Sequence, residues 1–169
     1  MLRKHKAILI ALPLSVTGLI GVGPLVLYGM GLLNIEGRPT APSTTNVEAK
    51  DEASLRCELK GDQDLSVPRL NPYNYLLKGY DTNPDRRSTG LSAVWVVARD
   101  YNQSHLKNRR AIYWHLSGAS LSIWITRNWS DKEILSSARS ILRTREATSN
   151  QPMERTLPRC ALQRRSSAR

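Results

Sequence analysis

The side chains best suited to chemistry in this chain are cationic. Arg99, Arg109 and Arg110 stand near one another in the second half of the sequence. A guanidinium presents a planar fork of donors that suits phosphate or carboxylate. The chemistry open to such groups is the holding of an anion. The competing reading is a solvated basic face, whose charges contribute little. No cofactor is expected, because the chain holds no Gly-rich phosphate loop, no G-x-S-x-G turn and no H-E-x-x-H. No metal site is expected either. Cys57 and Cys160 are too few for a four-ligand zinc site or a disulfide scaffold. His5 adjoins an apolar run, and His105 and His115 have no Cys or carboxylate at ligand spacing, so each reads as a surface or packing residue. A Cys57–Cys160 bridge stays open for an oxidising compartment.

Lys and Arg number 25 against 14 Asp and Glu, a formal charge of +11. Such a balance suits nucleic acid, anionic lipid or another acidic partner. The positive charges are scattered, and five arginines fall in the last fifteen residues. With no zinc-finger spacing, recognition-helix pattern or RNA-binding signature, nucleic acid is not an expected partner.

These groups must be positioned by elements, and the first is an N-terminal membrane segment. Arg3, Lys4 and Lys6 precede an uncharged run from Ala7 to Leu33. A span needs about 20 apolar residues, so 7–33 is expected to be a single transmembrane helix. Pro13 and Pro24 are tolerated in such helices. Basic residues stay cytoplasmic, which leaves the remainder exported, with Glu36 the first charge on the far side. The alternative is a cleaved signal peptide, but the run is long and no convincing Ala-x-Ala follows it. Residues 1–6 are then a cytoplasmic basic end and 34–66 a linker, rich in Pro, Ser, Thr and charge. Within the linker, Leu55 to Leu59 could form one helical fragment.

The expected fold is mainly α, with a small helical domain over residues 67–146. Asn71 and Pro72 resemble an N-cap followed by Pro at the first helical position. Leu91, Val94, Trp95, Ala98 and Tyr101 recur at helical spacing and favour a helix over 89–103, although Val94 to Val97 would also suit a buried strand. Arg109 to Thr126 is the longest amphipathic stretch. Gly118 weakens a helix there by about 1 kcal/mol relative to Ala unless close packing compensates. Trp114, Trp124 and Trp129 lie in or beside it, either filling the core or meeting a membrane surface. In RNWSDKEIL, Arg127 to Leu135, Ser130 and Glu133 form a capping box, and Asp131 and Glu133 sit at the positive end of the next helix. Arg139, Arg143 and Arg145 are expected near its negative end. Residues 147–169 lack a core pattern and are expected to be a disordered basic tail.

The same stretch resembles the S-K-x-E-I-L corner of family 51 glycosyltransferases, the peptidoglycan transglycosylases. Upstream, Ser88-Thr89-Gly90 and Ala98-Arg99-Asp100 resemble the family's G-G-S-T-I-T-Q-Q-L-A-[KR]-N segment, and Arg109-Arg110 its R-K pair. The resemblance covers residues 71 to 142. It implies a lysozyme-like fold or fragment, a lipid-linked peptidoglycan precursor as ligand, and Arg99, Arg109 and Arg110 as the groups meeting its pyrophosphate. It also implies a bacterial inner-membrane location with the domain periplasmic or extracellular.

The departures are as informative. The family's catalytic Glu lies in an E-D-x-x-F-x-x-H segment, and a general base must reach the proton it takes. Between Glu48 and Tyr80 the carboxylates Glu48, Asp51, Glu52, Glu58, Asp62 and Asp64 occur without that context. The family's L-E before the corner is here Ile125-Thr126, and its Gln pair is replaced at about Trp95-Val96. The expectation is a degenerate relative acting as a non-catalytic binding or accessory module. The alternatives are a divergent glycosyltransferase whose base is Glu48, Asp51 or Glu52, and an anchored module that contacts another membrane protein.

Overall fold

The structure is a computed structural model that describes residues 21–43, 55, 59, 65–73, 75 and 88–149. Residues 7–20 of the expected span, most of the expected linker and residues 150–169 lie outside the described residues. So do His5, Cys57, Cys160 and the carboxylates from Glu48 to Asp64.

The described chain is mainly helical, as expected. Helix α1 covers 21–33, α2 Thr89–His105, α3 Ala111–Asn128 and α4 Asp131–Ser149. Among the described residues no helix is long and apolar enough to cross a membrane.

Helix α2 settles the ambiguity at Val94 to Val97. Ala93, Val94, Val97 and Ala98 are buried, the i, i+1, i+4, i+5 pattern of a helix face rather than the alternation of a strand. The Ser88 hydroxyl caps it by accepting from the Leu91 N–H at 3.2 Å. Gly90 is required by a close approach. A Cβ there would meet the Ser66 carbonyl oxygen, and the Leu65 oxygen at 2.8 Å. Ser88-Thr89-Gly90 is thus a helix start pressed against backbone.

Helix α2 packs on both α3 and α4. Val94 and Val97 join Leu121, Ile125, Trp129, Ile134, Leu135 and Ala138 in one core. Trp129 is buried there and Trp124 packs against it, so these two indoles serve the core. The capping box forms: the Ser130 N–H donates to Glu133 Oε2 at 2.6 Å, and the Glu133 N–H to Ser130 Oγ at 3.3 Å. Helix α4 runs three residues past the expected domain end at 146. Arg139, Arg143 and Arg145 therefore lie inside the helix and not in its last turn, which holds no basic residue.

The corner between α3 and α4 also receives the 65–71 segment. Thr126 Oγ1 accepts from the Leu70 N–H at 3.2 Å, and Arg127 Nε donates to the Leu70 carbonyl at 2.9 Å. Arg69 donates to the Thr126 and Trp129 carbonyls, satisfying the open end of α3. Asp131 accepts from the Val67 N–H at 3.2 Å. Thr126, which stands where the family pattern has a Glu, is fully buried and spent on these contacts.

Part of the expected linker is packed. Ile35 and Leu55 are buried in the core. Ile35 forms an isolated bridge with Leu106, and the Glu36 N–H donates to the His105 carbonyl at 2.9 Å. Asn34 donates to Ser117 Oγ at 3.0 Å and accepts from the Asn108 N–H at 3.2 Å. Helix α1 lies directly on α3. A Cβ on Gly31 would collide with the Ser120 side chain and stand 2.6 Å from the Leu116 carbonyl oxygen.

Candidate functional site

A cavity of about 860 Å³ opens on the side of α2 and α3. Helix α2 lines it with Trp95, Arg99 and Asn102, α3 with Ile112, Trp114, His115, Gly118 and Ala119, and α4 with Arg145; Tyr75 closes one edge. This volume falls in the range of small-molecule sites, which combine apolar and aromatic walls with a few polar groups.

The elements account for each wall. On α2, Trp95, Arg99 and Asn102 follow the i, i+4, i+7 spacing that keeps side chains on one helix face. On α3, Ile112, His115 and Ala119 share a face at i, i+3 and i+7. Trp114 meets the ring of His115 edge-on at 4.9 Å, and Tyr75 lies tilted against Trp95 at 6.1 Å. Gly118 leaves part of the volume open. A Cβ there would find its nearest neighbour outside its own helix, Asn102 Nδ2, at an ordinary 3.6 Å.

The polar groups are unequal. Arg145 is held by Asp100 at 3.0 Å, with both side chains nearly half exposed. Arg99 is exposed and has no hydrogen-bond or ion-pair partner among the described residues. Asn102 is fully buried. Its Nδ2 donates to the Trp114 carbonyl at 2.9 Å, which fixes the amide orientation because that carbonyl can only accept. Its Oδ1 has no partner among the described residues. A buried acceptor left in that state costs about 1–3 kcal/mol.

Of the three arginines singled out by sequence, the structure places only Arg99 in this wall, and brings Arg145 to it from α4. Arg109 and Arg110 stand exposed on the α2–α3 loop and at the start of α3, outside the lining. Arg110 is the N-cap residue and makes no side-chain cap bond. Two cations at the positive end of a helix dipole do not stabilise it. His105 stacks on Tyr101 at 3.8 Å, a packing role, whereas His115 lines the cavity. Sequence reasoning missed Asn102 and Arg145. The first carried a signal, since it lies one helical turn from Arg99; the second depended on how α4 crosses α2.

No family model, curated protein or solved structure matches the chain.

Proposed function

We propose that the chain is a membrane-anchored protein of the bacterial cell envelope. Its helical domain binds an anionic, lipid-linked sugar precursor without turning it over, as a degenerate relative of the family 51 glycosyltransferases. The observation that carries this reading is the cavity, where Arg99, without a partner among the described residues, stands beside indole side chains. A guanidinium suits a pyrophosphate. Trp95 and Trp114 suit a sugar ring or an apolar chain. The basic N-terminal flank places the N-terminus in the cytoplasm and the domain outside the inner membrane. The binding rather than catalytic role rests on the sequence, where no segment between Glu48 and Tyr80 has the family's acid context.

The test is incubation of full-length protein in detergent with a polyprenyl-pyrophosphate disaccharide. Saturable binding with no glycan polymer is expected. Polymer that disappears on replacing Glu48, Asp51 or Glu52 would instead make the protein a divergent glycosyltransferase. Absence of binding by a folded protein would overturn the reading.

A further inference from the structure

We infer that residues 21–33 lie along the membrane surface instead of crossing it, so that α1 seats the domain against a bilayer containing anionic lipid. The inference rests on the membrane part of the reading above, contact with a bilayer, and gives up the single span of residues 7–33, because the stretch from Ala7 to Gly21 is shorter than the roughly 20 residues a crossing needs.

Helix α1 presents two faces. Gly31 faces α3, where the missing Cβ lets the backbone approach Leu116 and Ser120. The opposite face carries Val22, Leu25, Val26, Met30 and Leu33, spaced at i, i+3, i+4, i+8 and i+11, and all are exposed. Val22 is 56% and Leu33 74% accessible, unusual for such side chains on a helix that is itself packed. The stripe continues the uncharged run that begins at Ala7, and α1 has no acidic residue to oppose a lipid surface.

The packing of α1 on α3 makes a transverse orientation costly. Near the C-terminal end of α1, Asn34 bonds Ser117 in the first half of α3. At its other end, the Gly21 carbonyl accepts from the Tyr73 hydroxyl at 2.6 Å. Tyr73 closely follows Leu70, whose carbonyl is held by Arg127 at the end of α3. The two helices therefore run antiparallel. Exposed cations mark both ends of the pair: Arg38, Lys107, Arg109 and Arg110 at one, Arg127 at the other. Were α1 to stand across the bilayer, one of these groups would enter hydrocarbon, where a charged side chain is strongly disfavoured. With α1 in the plane, the apolar stripe meets the acyl boundary and both basic ends reach headgroups, the arrangement of an interfacial amphipathic helix. Glu36 is the acidic residue beside the first group of cations; at the other end Asp131 and Glu133 stand beside Arg69, Arg127 and Lys132, so cations outnumber carboxylates at both ends.

The experiment measures depth at the two ends of the stripe. Full-length protein with Cys57 and Cys160 replaced by Ser receives a single Cys at Val22→Cys or Leu33→Cys, both exposed sites, and an environment-sensitive fluorophore. It is reconstituted into phosphatidylcholine vesicles with and without phosphatidylglycerol. Lipids quenched at shallow and deep positions then report depth, with Ser140→Cys on the outside of α4 as the aqueous control. Equal, shallow depths at 22 and 33 are expected, with binding strengthened at least tenfold by phosphatidylglycerol. Depths differing by about 16 Å, the rise along a transverse helix over that interval, would overturn the inference while leaving membrane anchoring intact. Labels shielded from water but unquenched by lipid would overturn it in favour of a second copy covering the stripe. Failure to float with vesicles of either composition would overturn both the inference and the membrane reading. If Val22→Cys loses its helical circular dichroism, Leu25→Cys replaces it; if Leu33→Cys does, Met30→Cys replaces it; either way the interval for a transverse helix shortens to about 12 Å.

Discussion

The seam between α1 and α3 should give way when a single methyl group is added. Gly31 lies where an added Cβ would stand 2.6 Å from the Leu116 carbonyl oxygen and collide with the Ser120 side chain. The carbonyl belongs to the backbone of α3 and cannot rotate aside, so the helices must part. Overpacking of this kind costs about 1–3 kcal/mol, and the upper end applies where backbone is the obstacle. Parting also stretches the nearby bond from Asn34 to Ser117, worth about 1 kcal/mol. Against this, Ala improves helix propensity by about 1 kcal/mol. Gly31→Ala should therefore destabilise the protein by about 2–3 kcal/mol net. Urea titration of the full chain in mild detergent, followed by far-ultraviolet circular dichroism and tryptophan emission, measures it. Adding Ser120→Gly should recover part of the loss, because two of the three nearest obstacles belong to that side chain. A Gly31→Ala protein as stable as the parent, or more stable, would refute the close α1–α3 approach.

The same substitution should have the opposite sign at Gly118, where an added Cβ makes only an ordinary contact. Gly118→Ala is expected to stabilise by about 1 kcal/mol in the same titration, while narrowing the cavity and weakening ligand binding. The Ser130 backbone and hydroxyl bonds hold the Glu133 carboxyl below its ordinary value. A lowered folded pKa means stability that is present above the unfolded value near 4.5 and lost as pH falls through the folded one. Wild type should thus lose more stability on acidification below that value than Glu133→Gln, read as the difference between their denaturation midpoints across the acid range; parallel curves would contradict the capping bond. Arg145→Ala should change stability by less than about 1 kcal/mol, as an exposed pair does, yet should weaken anion binding at the cavity, a separation visible by comparing denaturation with binding isotherms.

The parts of this fold legible in the sequence were those governed by short-range rules. The Ser130–Glu133 box declares itself through spacing alone, and α2 through the recurrence of Leu91, Val94 and Ala98. Long-range packing was not legible. Ile35 sits in a stretch whose composition reads as linker, yet its bridge to Leu106 and the bonds of Asn34 to α3 tie it to the domain. A two-residue hydrogen-bonded contact leaves no periodicity. The same limit governed the site. Arg99 stood out as a cation, but its partner in the wall, Arg145, was assigned to a helix end because the end of α4 was placed too early. Arg109 and Arg110 were grouped with Arg99 by the resemblance to the transglycosylase motifs, whereas the turn after His105 sends them outside the cavity lining. Gly118 read as a helix weakness, and the structure gives it a place in the cavity wall.

On the proposed function, the cavity, and not the basic loop at the start of α3, recognises the anion. Binding of a polyprenyl-pyrophosphate disaccharide to full-length protein in detergent tests it, comparing Arg99→Ala with Arg109→Ala/Arg110→Ala. A hydrogen bond to a charged group contributes about 1.5–3 kcal/mol, so Arg99→Ala should raise Kd by roughly tenfold or more, while the double variant should change it by less than about threefold. The reverse order, with binding lost in the double variant and retained in Arg99→Ala, would contradict the account.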